Sequence, residues 1–226
     1  FVEGIFSKPE FFGGEFLKNF TTVLTQGLKA AGGIPVWVMM ANSLVMALGI
    51  AIGKIAISIT AAYAIVYFRF PGRELCFVLI FITLMMPVEV RIVPTFQVAA
   101  NLNFIDSYLG LVLPLIASAT ATFLYRQMFM TIPAELLEAA RIDGAGPWRF
   151  FVDVVLPLSR TNTAALFVVL FIYGWNQYLW PLLVTNQESM YTIVMGIQRM
   201  VNIPDAVPEW NLIMAVALLG MLPPLL

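Results

Sequence analysis

The sequence predicts an all-α, polytopic helical membrane protein, and three observations predict it. First, 61% of the 226 residues are hydrophobic and 11% are charged, with a mean hydropathy of +0.90. Soluble domains run at about 45–50% apolar and about 25% charged, so no water-soluble core of this size hides that much apolar surface. Second, five apolar runs approach or exceed the ~20 residues needed to cross a bilayer: residues 42–67, 75–93, 108–128, 164–184 and 210–226. Third, none of them alternates polar and apolar residues as the ~10-residue strands of a membrane barrel do. Open strands would also leave backbone groups unpaired in lipid.

Residues 1–36 are polar enough to lie outside the bilayer and are broken by Gly13-Gly14, Gly32-Gly33 and Pro35. Phe11, Phe12, Phe16 and Phe20 recur so that one amphipathic face is expected there. The division is an extracytoplasmic segment over 1–36 and a transmembrane domain over 37–226. The chain opens on Phe1 and stops inside an apolar run at Leu226. A span before Phe1 and the tail of the last span are therefore expected outside it.

The first run carries Gly49-Ile-Ala-Ile-Gly53-Lys54-Ile55. A nucleotide-binding phosphate loop needs four residues between the glycines and a Ser or Thr for magnesium; this segment has three and none. Gly49 and Gly53 read instead as a small-xxx-small contact for another helix. Lys54 falls mid-membrane, where a lysine costs about 2.5–3.5 kcal/mol, so it must face protein or water. Two readings stand: an ammonium tied to helix carbonyls or snorkelling aside, or a cationic contact for an anionic solute.

In the second run, Cys76 reads as a packing group, and Pro87 and Pro94 point to a broken helix at the outer end, a feature of transport pathways. Glu89 and Arg91 follow Pro87. They form an interfacial ion pair, or Arg91 meets a phosphate with its guanidinium fork. In the fourth run Asn176, Gln177 and Tyr178 add hydrogen-bonding groups that shape a gate or helix packing. Trp37, Trp175, Trp180 and Trp210 lie near span ends, where amphipathic rings favour the interface. Pro204, Asp205 and Pro208 mark an outer loop ahead of the last run.

Orientation follows from the cations. Residues 68–74 and 126–160 hold six arginines in 42 residues; the opposite side, 1–36, 89–107 and 185–209, holds five cations in 80. The roughly twofold higher cation density makes the first side cytoplasmic. The chain has no histidine and one cysteine. That removes the commonest general base, the usual zinc ligand and any internal disulfide, so no catalytic and no metal-binding residues are assigned. A net charge of −1 implies no nucleic-acid partner.

Residues 131–157, between the third and fourth runs, form a long polar segment. Pro133 suits a first helical turn, and Glu135 and Glu138 complement the start of the helix dipole. The spacing predicts a helix over 133–143 with Leu136, Ala139, Ala140 and Asp143 on one face. Gly144 and Gly146 break it, Pro147 starts a second short helix through residues 148–155, and Pro157 closes that segment. On these features alone, a connecting loop and a docking element are both open.

The residues also resemble a family. Glu138-Ala139-Ala140, three residues, Gly144, nine residues, Val154, one residue and Leu156-Pro157 is similar to the EAA loop of ABC importer permeases, with Val in place of the usual Ile. Ile142-Asp143-Gly144-Ala145 and the stretch from Gly174 to Pro181 resemble the sugar-type branch. Residues 81–95, 106–129 and 162–183 resemble the glycerol-3-phosphate importers within it, and the similarity covers roughly residues 42–210.

The resemblance implies a type I ABC importer transmembrane domain with six core helices, about five of them visible in this chain. It implies a multi-pass protein of the bacterial inner membrane that imports sn-glycerol 3-phosphate, with glycerophosphodiesters as further candidates. A sugar or oligosaccharide is the alternative cargo, and a secondary transporter or channel the alternative class. The implied partners are a homologous second permease, two ATPase subunits, a periplasmic solute-binding protein and the lipid bilayer. This chain binds no cofactor; ATP and magnesium are used by the ATPase. Glu138, Ala139, Ala140, Arg141, Asp143, Gly144, Leu156 and Pro157 are the implied ATPase-coupling residues. Lys54, Glu89, Arg91, Asn176 and Tyr178 are the candidates for the substrate path.

Overall fold

The computed structural model describes residues 14–27, 33–83, 86–202 and 208–225, and every regular element among them is helical. The chain divides into two compact units, Phe1–Leu44 with Gln177–Leu226, and Val45–Asn176.

In the first unit, α1 (Gly14–Thr25) packs against α12 (Trp210–Leu225). Asn211 Nδ2 donates to Asn19 Oδ1 at 3.1 Å. On α1, the Phe16 and Phe20 rings meet one turn apart, tilted by 45° with centroids 4.6 Å from each other. That agrees with a shared aromatic face, whereas Phe11 and Phe12 lie outside the described residues. Helix α11 (Ile193–Val201) also packs on α12. The start of a long helix, α2 (Val36–Tyr67), serves this unit through two side chains. Asn42 Nδ2 donates to the Ser189 and Tyr191 carbonyls at 2.8 and 3.0 Å, and Ser43 Oγ accepts from the Ile193 N–H at 2.8 Å. The last bond satisfies one of the amides that a helix start leaves without an internal partner.

The second unit contains the rest of α2, then α3 (Arg73–Ile82), α4 (Val88–Asn101), α5 (Tyr108–Val112), α6 (Ala119–Met130), α7 (Ala134–Ile142), α8 (Pro147–Leu158) and α9 (Arg160–Trp175). Helix α10 (Leu179–Val184) opens the chain's return to the first unit. Ser107 and Ser118 cap α5 and α6 by accepting from the Gly110 and Ala121 amides, the bond such residues make at helix starts. A core of Ile59, Tyr63, Tyr125, Phe129, Phe150 and Phe151 joins α2, α6 and α8. Gly49 meets helix α5 as its spacing predicts, whereas Gly53 meets Ile116 in the non-helical break ahead of α6. A Cβ at Gly49 would lie 2.9 Å from Val112, and one at Gly53 would lie 2.5 Å from Ile116 Cγ2. A side chain at either position would force its neighbour to shift.

Several expectations are corrected. By length and composition, α2 alone among the described helices suffices to cross a membrane. Tyr108–Leu115 with Ala119–Met130, bent by 47°, and Pro147–Leu158 with Arg160–Trp175, bent by 71°, qualify only if each pair is one span. The run at 75–93 is two helices, because Pro87 lacks an N–H and stands at the start of α4 with φ −56° and ψ 143°. Pro94, by contrast, stays inside α4. The run at 164–184 divides after Trp175, since Pro181 removes the N–H that would pair with the Gln177 carbonyl in a continuous helix.

Two side-chain readings also change. Cys76 is exposed, on a helix with no buried residue. Trp37 and Trp210 are exposed, but Trp175 and Trp180 are only 2% and 3% exposed, because their runs break there and fold the rings inward.

Candidate functional site

The polar segment becomes two rigid pieces. Helix α7 starts after Pro133, which is its N-cap rather than its first turn, and carries Glu135 near the start and Arg141 in the last turn. Both charges suit the helix dipole. Its end is closed by two bonds, Ala145 N–H to the Ala140 carbonyl at 2.8 Å and Gly144 N–H to the Arg141 carbonyl at 3.1 Å. This is the Schellman arrangement, and Gly144 supplies the left-handed residue it needs, with φ +75°.

The face of α7 differs in part from its predicted one. Leu137 and Ala140 pack on the aromatic core. Leu136, Glu138, Ala139, Arg141, Asp143 and Gly144 are exposed. Ala140 thus belongs with Leu137, not with Leu136 and Asp143. Two residues missed by sequence reasoning stand out, Ile142 at 86% and Trp148 at 72% exposed. Large apolar groups presented this fully mark contact surfaces, and an exposed Trp beside a helix break is the signal that could have found them.

After Pro147, α8 does not end at Pro157. It widens into a π turn over Phe151–Val155, with Leu156 N–H on the Phe151 carbonyl, and runs on to Leu158. Pro157 begins the turn beyond the widened one, a position that tolerates its missing N–H. Leu156 and Pro157 are half-buried, and Leu156 packs on the aromatic core. Two phenols brace the assembly. Tyr63 Oη donates to the Pro147 carbonyl at 2.6 Å and Tyr67 Oη to the Phe129 carbonyl at 3.4 Å.

The membrane cations form a second locus. Lys54 is 6% exposed, on the same stripe of α2 as the buried Ala47, Ala51 and Ser58. A Cβ at Gly174 would lie 2.9 Å from Ala47 Cα, so α9 runs close to α2. Beside Gly174, the Tyr173 ring lies 3.7 Å from Lys54 Nζ, a cation–π contact. Arg91 acts on Lys54 as a like charge. No carboxylate is paired with Lys54 among the described residues. Arg91 is exposed on α4, and the Glu89 side chain lies outside the described residues. Asn176 is exposed at the end of α9, and Tyr178 is half-buried ahead of α10. Tyr173 is the residue that sequence reasoning missed.

The pattern of the family described as "Binding-protein-dependent transport system inner membrane component" matches residues 54–226. This chain belongs to that family.

Relatives of this inner membrane component agree. The sn-glycerol-3-phosphate transport system permease protein UgpE of Agrobacterium fabrum (strain C58 / ATCC 33970) is 58% identical over 214 residues, which cover 95% of this chain and 76% of that protein. The protein of the same name from Yersinia pestis bv. Antiqua (strain Antiqua) is 65% identical over 190 residues, 84% of this chain and 68% of that one. A solved bacterial ABC transporter involved in the import of the acidic polysaccharide alginate superposes with a TM-score of 0.76 at 20% identity, covering 99% of this chain and 90% of that one. That likeness concerns the fold, which is the transmembrane domain of a type I ABC importer.

Proposed function

We propose that this inner membrane component is the permease of an ATP-driven importer of sn-glycerol 3-phosphate. The observation that carries the cargo is the 58–65% identity to permeases named for that solute. Charge supports it: Lys54 has Arg91 as a like-charged neighbour, and no carboxylate is paired with either among the described residues. Such a pair attracts a phosphate monoester, and its like-charge repulsion is relieved when the phosphate arrives.

ATP hydrolysis belongs to partner ATPase subunits, two per complex, which hold ATP and magnesium; this chain holds neither. A homologous second permease completes the path and a periplasmic solute-binding protein delivers the cargo. The exposed face of α7, with Glu138, Ala139, Arg141 and Asp143, docks on the ATPase from the cytoplasmic side. Leu137, Ala140 and Leu156 anchor the same segment to the aromatic core. Closure of the ATPase dimer on ATP moves α7, the aromatic core carries that motion into α2 and α6, and the path opens outward. Hydrolysis resets it.

The test is uptake of labelled sn-glycerol 3-phosphate by the full complex, with assembly verified. Lys54→Met and Arg91→Gln each reduce uptake, and Glu138→Lys abolishes it while the chain still inserts. Wild-type uptake by both cation variants would refute the phosphate path. Full uptake by an assembled Glu138→Lys complex would refute the coupling role. Competition by a sugar, with none by phosphate esters, would replace the proposed cargo.

A further inference from the structure

Between the end of α2 and the inner flank of α7 lies a cleft of about 370 Å³. Among the described residues, Arg69 and Arg141 are the charged groups that line it, and Tyr63, Tyr67, Phe68 and Phe150 form its aromatic walls. Neither guanidinium has an ion pair or hydrogen bond among the described residues. The two cations therefore face an open space that no described carboxylate lines.

The walls are held in place. The Tyr63 and Tyr67 hydroxyls are committed to the Pro147 and Phe129 carbonyls, and Phe150 meets Tyr67 edge-on at 5.3 Å between centroids. Arg69 comes two residues after the last helical residue of α2, the described helix long and apolar enough to cross a membrane by itself. The cleft thus sits level with a bilayer surface, on the side where the arginines are concentrated.

We propose that this cleft holds the phosphate of an anionic phospholipid headgroup. Guanidinium forks match phosphate oxygens, and basic pockets between spans at the cytoplasmic side are where anionic headgroups lodge. The aromatic walls suit the glycerol and the acyl roots next to that phosphate, which a free anion lacks. An acidic side chain of the ATPase fits less well. The cleft is on the flank of α7 that carries Leu137 and Ala140; of the docking-face residues Arg141 lines it, whereas Glu138, Ala139 and Asp143 do not. The proposal rests on the membrane-surface placement of residues 131–157, and not on their coupling role.

The experiment takes the assembled complex in nanodiscs of phosphatidylcholine with graded phosphatidylglycerol. Native mass spectrometry counts retained phosphatidylglycerol, and ATPase co-purification is measured in parallel. Arg69→Gln lowers retention about fivefold, Arg69→Gln with Arg141→Gln lowers it further, and Arg69→Lys restores much of it. Arg69 stands outside the coupling residues, so its ATPase content stays at the wild-type level whether or not the coupling reading holds. Unchanged lipid retention in the double variant overturns the proposal. So does displacement of the lipid by millimolar inorganic phosphate or glycerol phosphate, which assigns the cleft to a soluble anion. Loss of the ATPase from Arg69→Gln with lipid retained assigns it to protein docking and overturns the proposal equally.

Discussion

The phenolic hydroxyl of Tyr63 donates to the Pro147 carbonyl oxygen at 2.6 Å, joining the last turns of α2 to the first residue of α8. The same ring packs on Phe151, with centroids 4.7 Å apart. Tyr63→Phe keeps the ring contact and removes only the bond, a loss of about 1 kcal/mol. The expected result is a small fall in melting temperature with a larger fall in solute moved per ATP hydrolysed. If transport and hydrolysis fall in parallel, the bond is merely structural.

Gly144 ends α7 at φ +75°, and a Cβ there would meet nothing within 4 Å. The penalty for Gly144→Ala is therefore conformational, about 1–2 kcal/mol, and not steric. Gly144→Asn, which tolerates the left-handed region better, should recover part of it. Protease nicking in residues 131–157 of the detergent-solubilised complex measures the difference. Equal sensitivity of both variants would show that the backbone does not need this geometry.

At Gly53 the penalty is steric. A methyl there would lie 2.5 Å from Ile116 Cγ2, and overpacking of this kind costs about 1–3 kcal/mol. Gly53→Ala should lower the thermal stability of the complex, and Gly53→Ala with Ile116→Ala should regain it. Additive losses in the double variant would contradict the contact.

Tyr173 covers Lys54 Nζ at 3.7 Å. A desolvated cation–π contact is worth about 2 kcal/mol. Tyr173→Phe should retain uptake and Tyr173→Leu should reduce it, most visibly as a raised apparent KM. Identical uptake kinetics for the Leu and Phe variants would remove Tyr173 from the path.

What the sequence made legible was local. Gly144 as a helix stop, the helical character of residues 134–142, the close packing at Gly49 and Gly53 and the break at Pro87 all follow from single residues or short spacings. Missed features depend on partners distant in sequence. Tyr63 and Pro147 are 84 residues apart, and nothing near Tyr173 says that Lys54 lies under it. The inward turn of Trp175 and Trp180 escaped for a related reason, since a ring at a span end reads as interfacial until the chain is known to break there. The π turn was hidden because one surplus residue leaves no mark on composition.

That surplus residue has a consequence for the loop's motif. Each residue added to a helix rotates the downstream chain by about 100° around the axis. The π turn over Phe151–Val155 therefore resets the rotational phase of Leu156, Pro157 and all of α9 relative to an uninterrupted helix. The nine residues between Gly144 and Val154 set an angle as much as a length. One residue more or fewer would alter the reach by only about 1.5 Å, yet it would aim the next span at a different neighbour.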